Sequence, residues 1–267
     1  RALQPATIGF LTYSEGCNDD VNKCVWSALG WDPEARIADV LRQYGRYYIG
    51  AGLGDDFGQG LLALERNWRG PLLANVGVET TLAQFQDLER RSSFEQRRNW
   101  RFQQALLRAY YDALVRRRLL AETELEAQAM DALRRAPAEG ALVAMARAEA
   151  TLDRGLAEPV APDLRVRVAE LGEALFQSIR MQLHVAKYGA IAPDRGAMLE
   201  TLDYPLNDRP WLKDRFARIR ALTSETERLG AIAGIVNWAD PGPGGFYDDL
   251  GNIARQPHLV REPGFER

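Results

Sequence analysis

The sequence predicts a mainly α protein entered through one strand. Three observations carry that expectation. Thr7 to Tyr13 is a β-branched and aromatic run, almost the only one of its kind in the chain. From Thr80 apolar residues recur at helical spacing, with few breaks, to about Leu120, and further helical stretches follow to about residue 237. Between these stands a polar cluster, Ser14-Glu15-Gly16-Cys17-Asn18-Asp19-Asp20-Val21-Asn22-Lys23-Cys24, leading to Trp26 and to Gly30-Trp31-Asp32-Pro33. A buried strand that breaks into carboxylates, amides and a lysine ahead of a helix is a common way to present an enzyme site.

The elements follow in order. Asp32 reads as an N-cap and Pro33 as the first helical position, so a helix is expected from there to Gly50, with Ile37, Val40, Leu41, Tyr44 and Tyr48 on one face. Gly50-Ala-Gly-Leu-Gly-Asp55 has the glycine density of a phosphate loop. It follows a helix and lacks a Gly-Lys-Ser/Thr ending, so it reads as a turn. Helices are then expected at about 55–68, at 80–120 opening on a Thr81/Gln84 capping box, and at 122–135, 139–154, 163–188, 208–222 and 224–237. Trp100, Leu107, Tyr110, Tyr111 and Leu114 form an aromatic stripe of the kind that packs into a core. His184, at a helix end, reads as a structural histidine.

Charge and hydropathy exclude several classes. A net charge of −3, from 34 basic and 37 acidic residues, supplies no field toward nucleic acid, and Arg116-Arg117-Arg118 reads as a solvated helix face. No apolar run approaches the roughly 18 residues of a membrane span. With 46% hydrophobic and 27% charged residues the composition is that of a globular protein. The sequence opens on Arg and without a leader, and is expected to be part of a longer chain. Cys17 and Cys24 are the only cysteines. On one continuous helix their Cα atoms would lie roughly 10 Å apart, beyond the ~7 Å limit of a disulfide, whereas a loop between them would permit the bond. Packed free thiols and a disulfide both stand as readings.

The candidate chemistry centres on Glu15, Asp19 and Asp20, with Tyr13, Asn18, Asn22, Lys23 and Trp26 beside them. Glycoside hydrolysis needs two carboxyls across a sugar and aromatic rings to stack on it. Carboxylates this close in sequence cannot all flank one bond, so the cluster supplies one side of a pair. The alternative is an acidic helix N-terminus, capped by Asp19 or Asp20. A calcium loop at Asn18-Asp19-Asp20-Val21-Asn22 lacks the alternation, central glycine and terminal glutamate of an EF-hand, and no metal or cofactor is expected. Trp238, Asp240, Tyr247 and the pair Asp248-Asp249, in a Gly/Pro-rich tail that reads as an ordered loop, either line a sugar cleft or cap turns.

Tyr13-Ser-Glu15-Gly-Cys-Asn18-Asp19-Asp20-Val-Asn22-Lys23 with Trp26 and Gly30-Trp31-Asp32-Pro33, then Arg46-Tyr47-Tyr48, then Asp240-Pro-Gly-Pro-Gly-Gly-Phe-Tyr-Asp248-Asp249-Leu-Gly-Asn252, resembles a family of bacterial, mostly uncharacterised, glycoside-hydrolase-like proteins. The resemblance covers both ends of the chain and implies a (β/α)8-type barrel whose last strands precede a helical domain, with export from the cell. The expected organisation is then the end of an α/β barrel over 1–50, a helical domain over 51–236 and an ordered C-terminal segment over 237–267. The expected function is the C-terminal part of a secreted or periplasmic carbohydrate-active enzyme, a glycoside hydrolase acting on a poly- or oligosaccharide through paired carboxylates. Glu15 stands where a barrel strand would end. The competing expectation is a non-catalytic helical module that binds a protein partner or a glycan. The sequence leaves the oligomeric state open.

Overall fold

The computed structural model describes residues 8–9, 11–14, 16–193 and 196–237. Among them there is no strand. Residues 8–9 and 11–14, which the β-branched run predicts to be extended in a sheet, are irregular, with Ile8, Leu11 and Tyr13 exposed. A lone strand leaves its backbone donors and acceptors without a ladder, and the described residues offer this segment no partner strand.

The polar cluster becomes a helix start. A 3-10 turn at Gly16–Asp19 leads into α1 (Asp20–Trp31), which buries none of its twelve residues. Asp32 and Pro33 do not open the next helix as the sequence suggests. The Asp32 carboxylate accepts the Glu34 backbone N–H at 3.0 Å, an Asx turn that spends the capping group locally, and α2 (Ile37–Tyr48) begins four residues beyond Pro33. The far end of α2 is closed from a distance. The Gln96 side-chain amide donates to the Ile49 carbonyl at 3.0 Å and the Asn99 amide to the Tyr48 carbonyl at 2.6 Å, so two of the acceptors a helix C-terminus leaves open are satisfied.

Gly50, at φ +120°, turns the chain directly into α3 (Ala51–Arg66), so the stretch that mimics a phosphate loop is the first turn of a helix. Of its glycines, Gly54 serves packing. A Cβ on Gly45 would stand 2.2 Å from the Gly54 carbonyl oxygen, and one on Gly54 would stand 2.5 Å from the Arg46 backbone nitrogen. Thus α2 and α3 meet backbone to backbone.

The helix expected over 80–120 is three helices: α4 (Gly77–Arg91), α5 (Phe94–Arg98) and the start of α6 (Trp100–Arg134). The Ser93 hydroxyl and the Gln96 side chain form a capping box that starts α5, a signal hidden inside a polar run. The expected break near residue 121 is absent, because Leu120-Ala121-Glu122 contains neither glycine nor proline. Then come α7 (Ala136–Glu139), α8 (Ala141–Ala157), α9 (Pro162–Ile179), α10 (Val185–Tyr188), α11 (Arg209–Arg220) and α12 (Glu225–Val236). The helix expected over 163–188 stops at Ile179. His184 caps α10, its Nδ1 accepting the Lys187 N–H at 3.3 Å.

The chain divides into two compact units, 1–113 with 167–182, and 114–166 with 183–267. In the first, Phe57, Phe85 and Phe102 are fully buried, with Phe57 6.3 Å from Phe85 and 5.8 Å from Phe102 between ring centroids. Beside them lies a buried polar group. Asn67 donates to the Asp112 carboxylate at 3.0 Å, Thr81 donates to the Asn67 side-chain oxygen, and Arg108 pairs with Asp112. Of the aromatic stripe, Leu107, Tyr110 and Leu114 are buried, as core residues should be. The second unit packs Leu133, Met145, Leu152, Trp211 and Phe216 into its own core.

The glycine contacts yield a paired expectation. Gly54→Ala should cost about 2 kcal/mol or more, since backbone rather than a side chain must move to admit the methyl. Gly52→Ala, in the same helix with nothing within 4 Å of its Cβ, should be neutral or stabilising by up to about 1 kcal/mol. Urea unfolding of the two variants checks the pair, and equal effects would contradict the backbone contact.

Candidate functional site

In α1 the residues at i, i+4 and i+8 share a face, and Asp20, Cys24 and Ala28 are so spaced. That face turns toward α2. The intervening candidates turn elsewhere: Asn22 and Lys23 are exposed, with the Lys23 ammonium donating to the Gly16 carbonyl at 2.8 Å. Trp26 is half-buried. Asn18 is exposed and accepts from the Gln104 amide at 3.3 Å, and Tyr13 stands in solvent. Asp19, at the N-cap position, makes no side-chain capping bond. Glu15, Trp238, Asp240, Tyr247 and Asp248 lie outside the described residues.

Asp20 is therefore the member of the cluster around which a site is assembled. Its Oδ2 accepts the Tyr44 hydroxyl at 2.6 Å and Arg101 Nε at 2.7 Å, and its Oδ1 accepts Arg101 Nη2 at 3.2 Å. The Arg101 guanidinium is held in turn by two rings, 3.9 Å from the Tyr48 centroid and 4.2 Å from that of Trp100. Three helices thus converge on one carboxylate: α1 brings it, α2 brings Tyr44 and Tyr48, and α6 brings Trp100 and Arg101. A two-point guanidinium fork with a phenol on the same oxygen is the strong form of charge-assisted hydrogen bonding.

Beside this cluster an open groove of about 660 Å³ runs between α1 and α2. Cys24 and Ala28 line one wall. Val40, Gln43, Tyr44, Arg46, Tyr47 and Tyr48 line the other. The three tyrosines are differently engaged. Tyr44 gives its hydroxyl to Asp20, Tyr48 carries Arg101 on one face, and Tyr47, 82% exposed, packs edge-on to Tyr48 with centroids 4.8 Å apart. Arg46 is steadied by Asp55, through Nε at 2.8 Å and Nη2 at 3.2 Å.

The electrostatics of the cluster keep Asp20 ionised and Tyr44 and Cys24 protonated. Burial works to raise the Asp20 carboxyl, but the Arg101 fork, the Tyr44 hydroxyl and the Lys23 charge outweigh it and keep the group below the usual aspartate range. Burial, then the hydrogen bond to Asp20, push the Tyr44 phenol well above its ordinary value, so it stays a donor. Burial and the nearby Asp20 charge likewise raise the Cys24 thiol, which disfavours a nucleophilic thiolate. Both cysteines are free and half-buried. Asp20 is thus an ionised carboxylate with both oxygens engaged; glycoside cleavage pairs one ionised carboxyl with one protonated acid, and of the two Asp20 has the charge state of the former. Among the described residues no group of three or more His, Cys, Asp or Glu is placed to hold a metal ion, and no helix is long and apolar enough to cross a membrane.

No family model, curated protein or solved structure matches this chain.

The residues of α1 and the shared face of Tyr44 and Tyr48 are visible in the sequence, but the role of Arg101 is not. That residue lies 81 positions from Asp20, and an arginine beginning a long helix carries no local mark of such a partner.

The lowered carboxyl sets a pH dependence. Its contribution to stability is complete above the ordinary aspartate value of 3.8 and decays as pH falls through the lower folded value. Asp20→Asn should therefore lower the melting temperature by about 2–4 °C at pH 7. The deficit should shrink as pH falls below 3.8. Calorimetric scans across that range check it, and a deficit independent of pH would contradict the ionised anchor.

Proposed function

We propose that this chain is the helical part of a secreted carbohydrate-active enzyme, a glycoside hydrolase of poly- or oligosaccharides, and that the groove between α1 and α2 is a sugar-binding wall of it. One observation carries the reading. Helices α1 and α2, which carry parts of the two nearby segments that bear the family resemblance, meet at this groove, where they supply Cys24, Ala28, Arg46, Tyr47 and Tyr48. The lining suits a sugar. An exposed phenol ring offers an apolar face to the C–H side of a pyranose, while the Gln43 amide and the Arg46 guanidinium can meet hydroxyls.

In this reading Asp20 positions and does not react. It fixes α1 against Tyr44 and Arg101, and so shapes the groove. The reacting pair is left to Glu15 and a second carboxyl, at the end of a barrel strand as the resemblance implies.

A second reading, a helical module that docks a protein partner, is favoured by the exposure of Ile8, Leu11, Tyr13 and Trp31, the last 92% exposed. One titration separates the two. In calorimetry against a panel of neutral and acidic oligosaccharides, the parent protein should give heat with at least one of them. Tyr47→Ala should weaken that binding about tenfold, the ratio expected for one lost aromatic contact, and leave the melting temperature unchanged. Absence of heat with every glycan would contradict the sugar wall and favour the protein partner.

A further inference from the structure

The two walls of the groove are held in different ways. On the α2 side Leu41 and Tyr44 are buried, and Gly45 lies against Gly54 of α3 with no room for a methyl between them. On the other side Cys24 and Ala28 belong to α1, a twelve-residue helix with no fully buried residue, whose Val25, Trp26, Ala28 and Leu29 are half-buried. A helix this short is marginal by itself and takes its stability from tertiary ties. Its polar side-chain ties to other helices gather at its beginning. Asp20 is bound by Arg101 and Tyr44, and just before it Asn18 is bound by Gln104. At its other end the chain turns at once, the Ala35 N–H donating to the Asp32 carbonyl at 3.0 Å, and enters α2.

We infer that α1 is a hinged wall: the Asp20–Arg101–Tyr44 clamp latches its N-terminal end, the turn at residues 32–36 is its hinge, and release of the latch swings α1 away from α2 and opens the groove. The charged and titratable groups around the latch are Arg101 from α6, Tyr44 from α2, and Lys23 and Cys24 from α1 itself. A groove with one fixed and one latched wall admits a ligand wider than its closed form and then closes on it, and a ligand that bridges the walls strengthens the latch. The inference rests on the proposed sugar wall only for the identity of that ligand.

Amide hydrogen exchange on the whole chain, without ligand, tests the hinge. Asp20→Asn should speed exchange of the α1 amides by about tenfold, the ratio expected for weakening a charge-assisted pair, and should leave the amides around Phe57, Phe85 and Phe102 at their parent rates. Tyr44→Phe, which keeps the ring in the core and removes one donor, should speed α1 by about threefold, again without touching the core. Unchanged α1 exchange in either variant, or acceleration of the Phe57 core together with α1, would overturn the hinge. Failure of the glycan titration with α1 accelerated would leave the hinge standing, while glycan binding with α1 unchanged would remove the hinge and spare the groove.

Discussion

The arrangement at the start of this chain depends on one carboxylate. Asp20 sits at the first position of a helix that contributes nothing to the core, and it is met there by a guanidinium and a phenol from two other helices. Each partner is itself fixed. Tyr44 is buried in α2, whose backbone is pressed against α3, and Arg101 lies over the rings of Tyr48 and Trp100. The side chains of Asp20 and Arg101 are each 20% exposed, so the pair is shielded enough to matter yet does not bear the desolvation cost of a fully buried one. With no fully buried residue in α1, this contact is the charged tie that fixes its first turn against α2 and α6 at one end of the groove.

Much of the fold was legible because amphipathic spacing is a strong signal. The face formed by Leu41, Tyr44 and Tyr48 marked α2, and α11 and α12 fell within a residue or two of their expected limits. The misreadings have physical causes. Asp32-Pro33 has the composition of a helix start, but the Asp32 side chain found a nearer donor in Glu34. Ser92-Ser93 and Asn99 broke a helix whose apolar rhythm runs across them, since capping side chains interrupt a pattern that hydrophobicity alone does not register. The run from Ile8 to Tyr13 has strand composition without a sheet among the described residues to join, and β propensity measures fit to a pleated neighbour rather than a property of the segment.

The candidate site was half legible. The sequence drew attention to Asp19 and Asp20 and offered both a catalytic and a helix-start meaning; the helix start is what the backbone forms, and Asp20 gains its importance from Arg101. Tyr44 and Tyr48 were visible on an apolar face that left Tyr47 outside it, yet only geometry shows that Tyr44 is committed to Asp20. The glycines of α3 were visible as a turn, and their use as a seam between helices needs Gly45 from the preceding helix to be understood. In each case the missing knowledge was a partner distant in sequence, which periodicity does not encode.

A double-mutant cycle between Asp20→Asn and Arg101→Met, read by chemical unfolding at neutral pH, tests the central claim most directly. The clamp predicts a coupling of about 1 kcal/mol or more, with each single variant removing most of what the double variant removes. Additivity of the two substitutions within about 0.3 kcal/mol would contradict it, and would reduce the meeting of α1, α2 and α6 at Asp20 to proximity without energetic consequence.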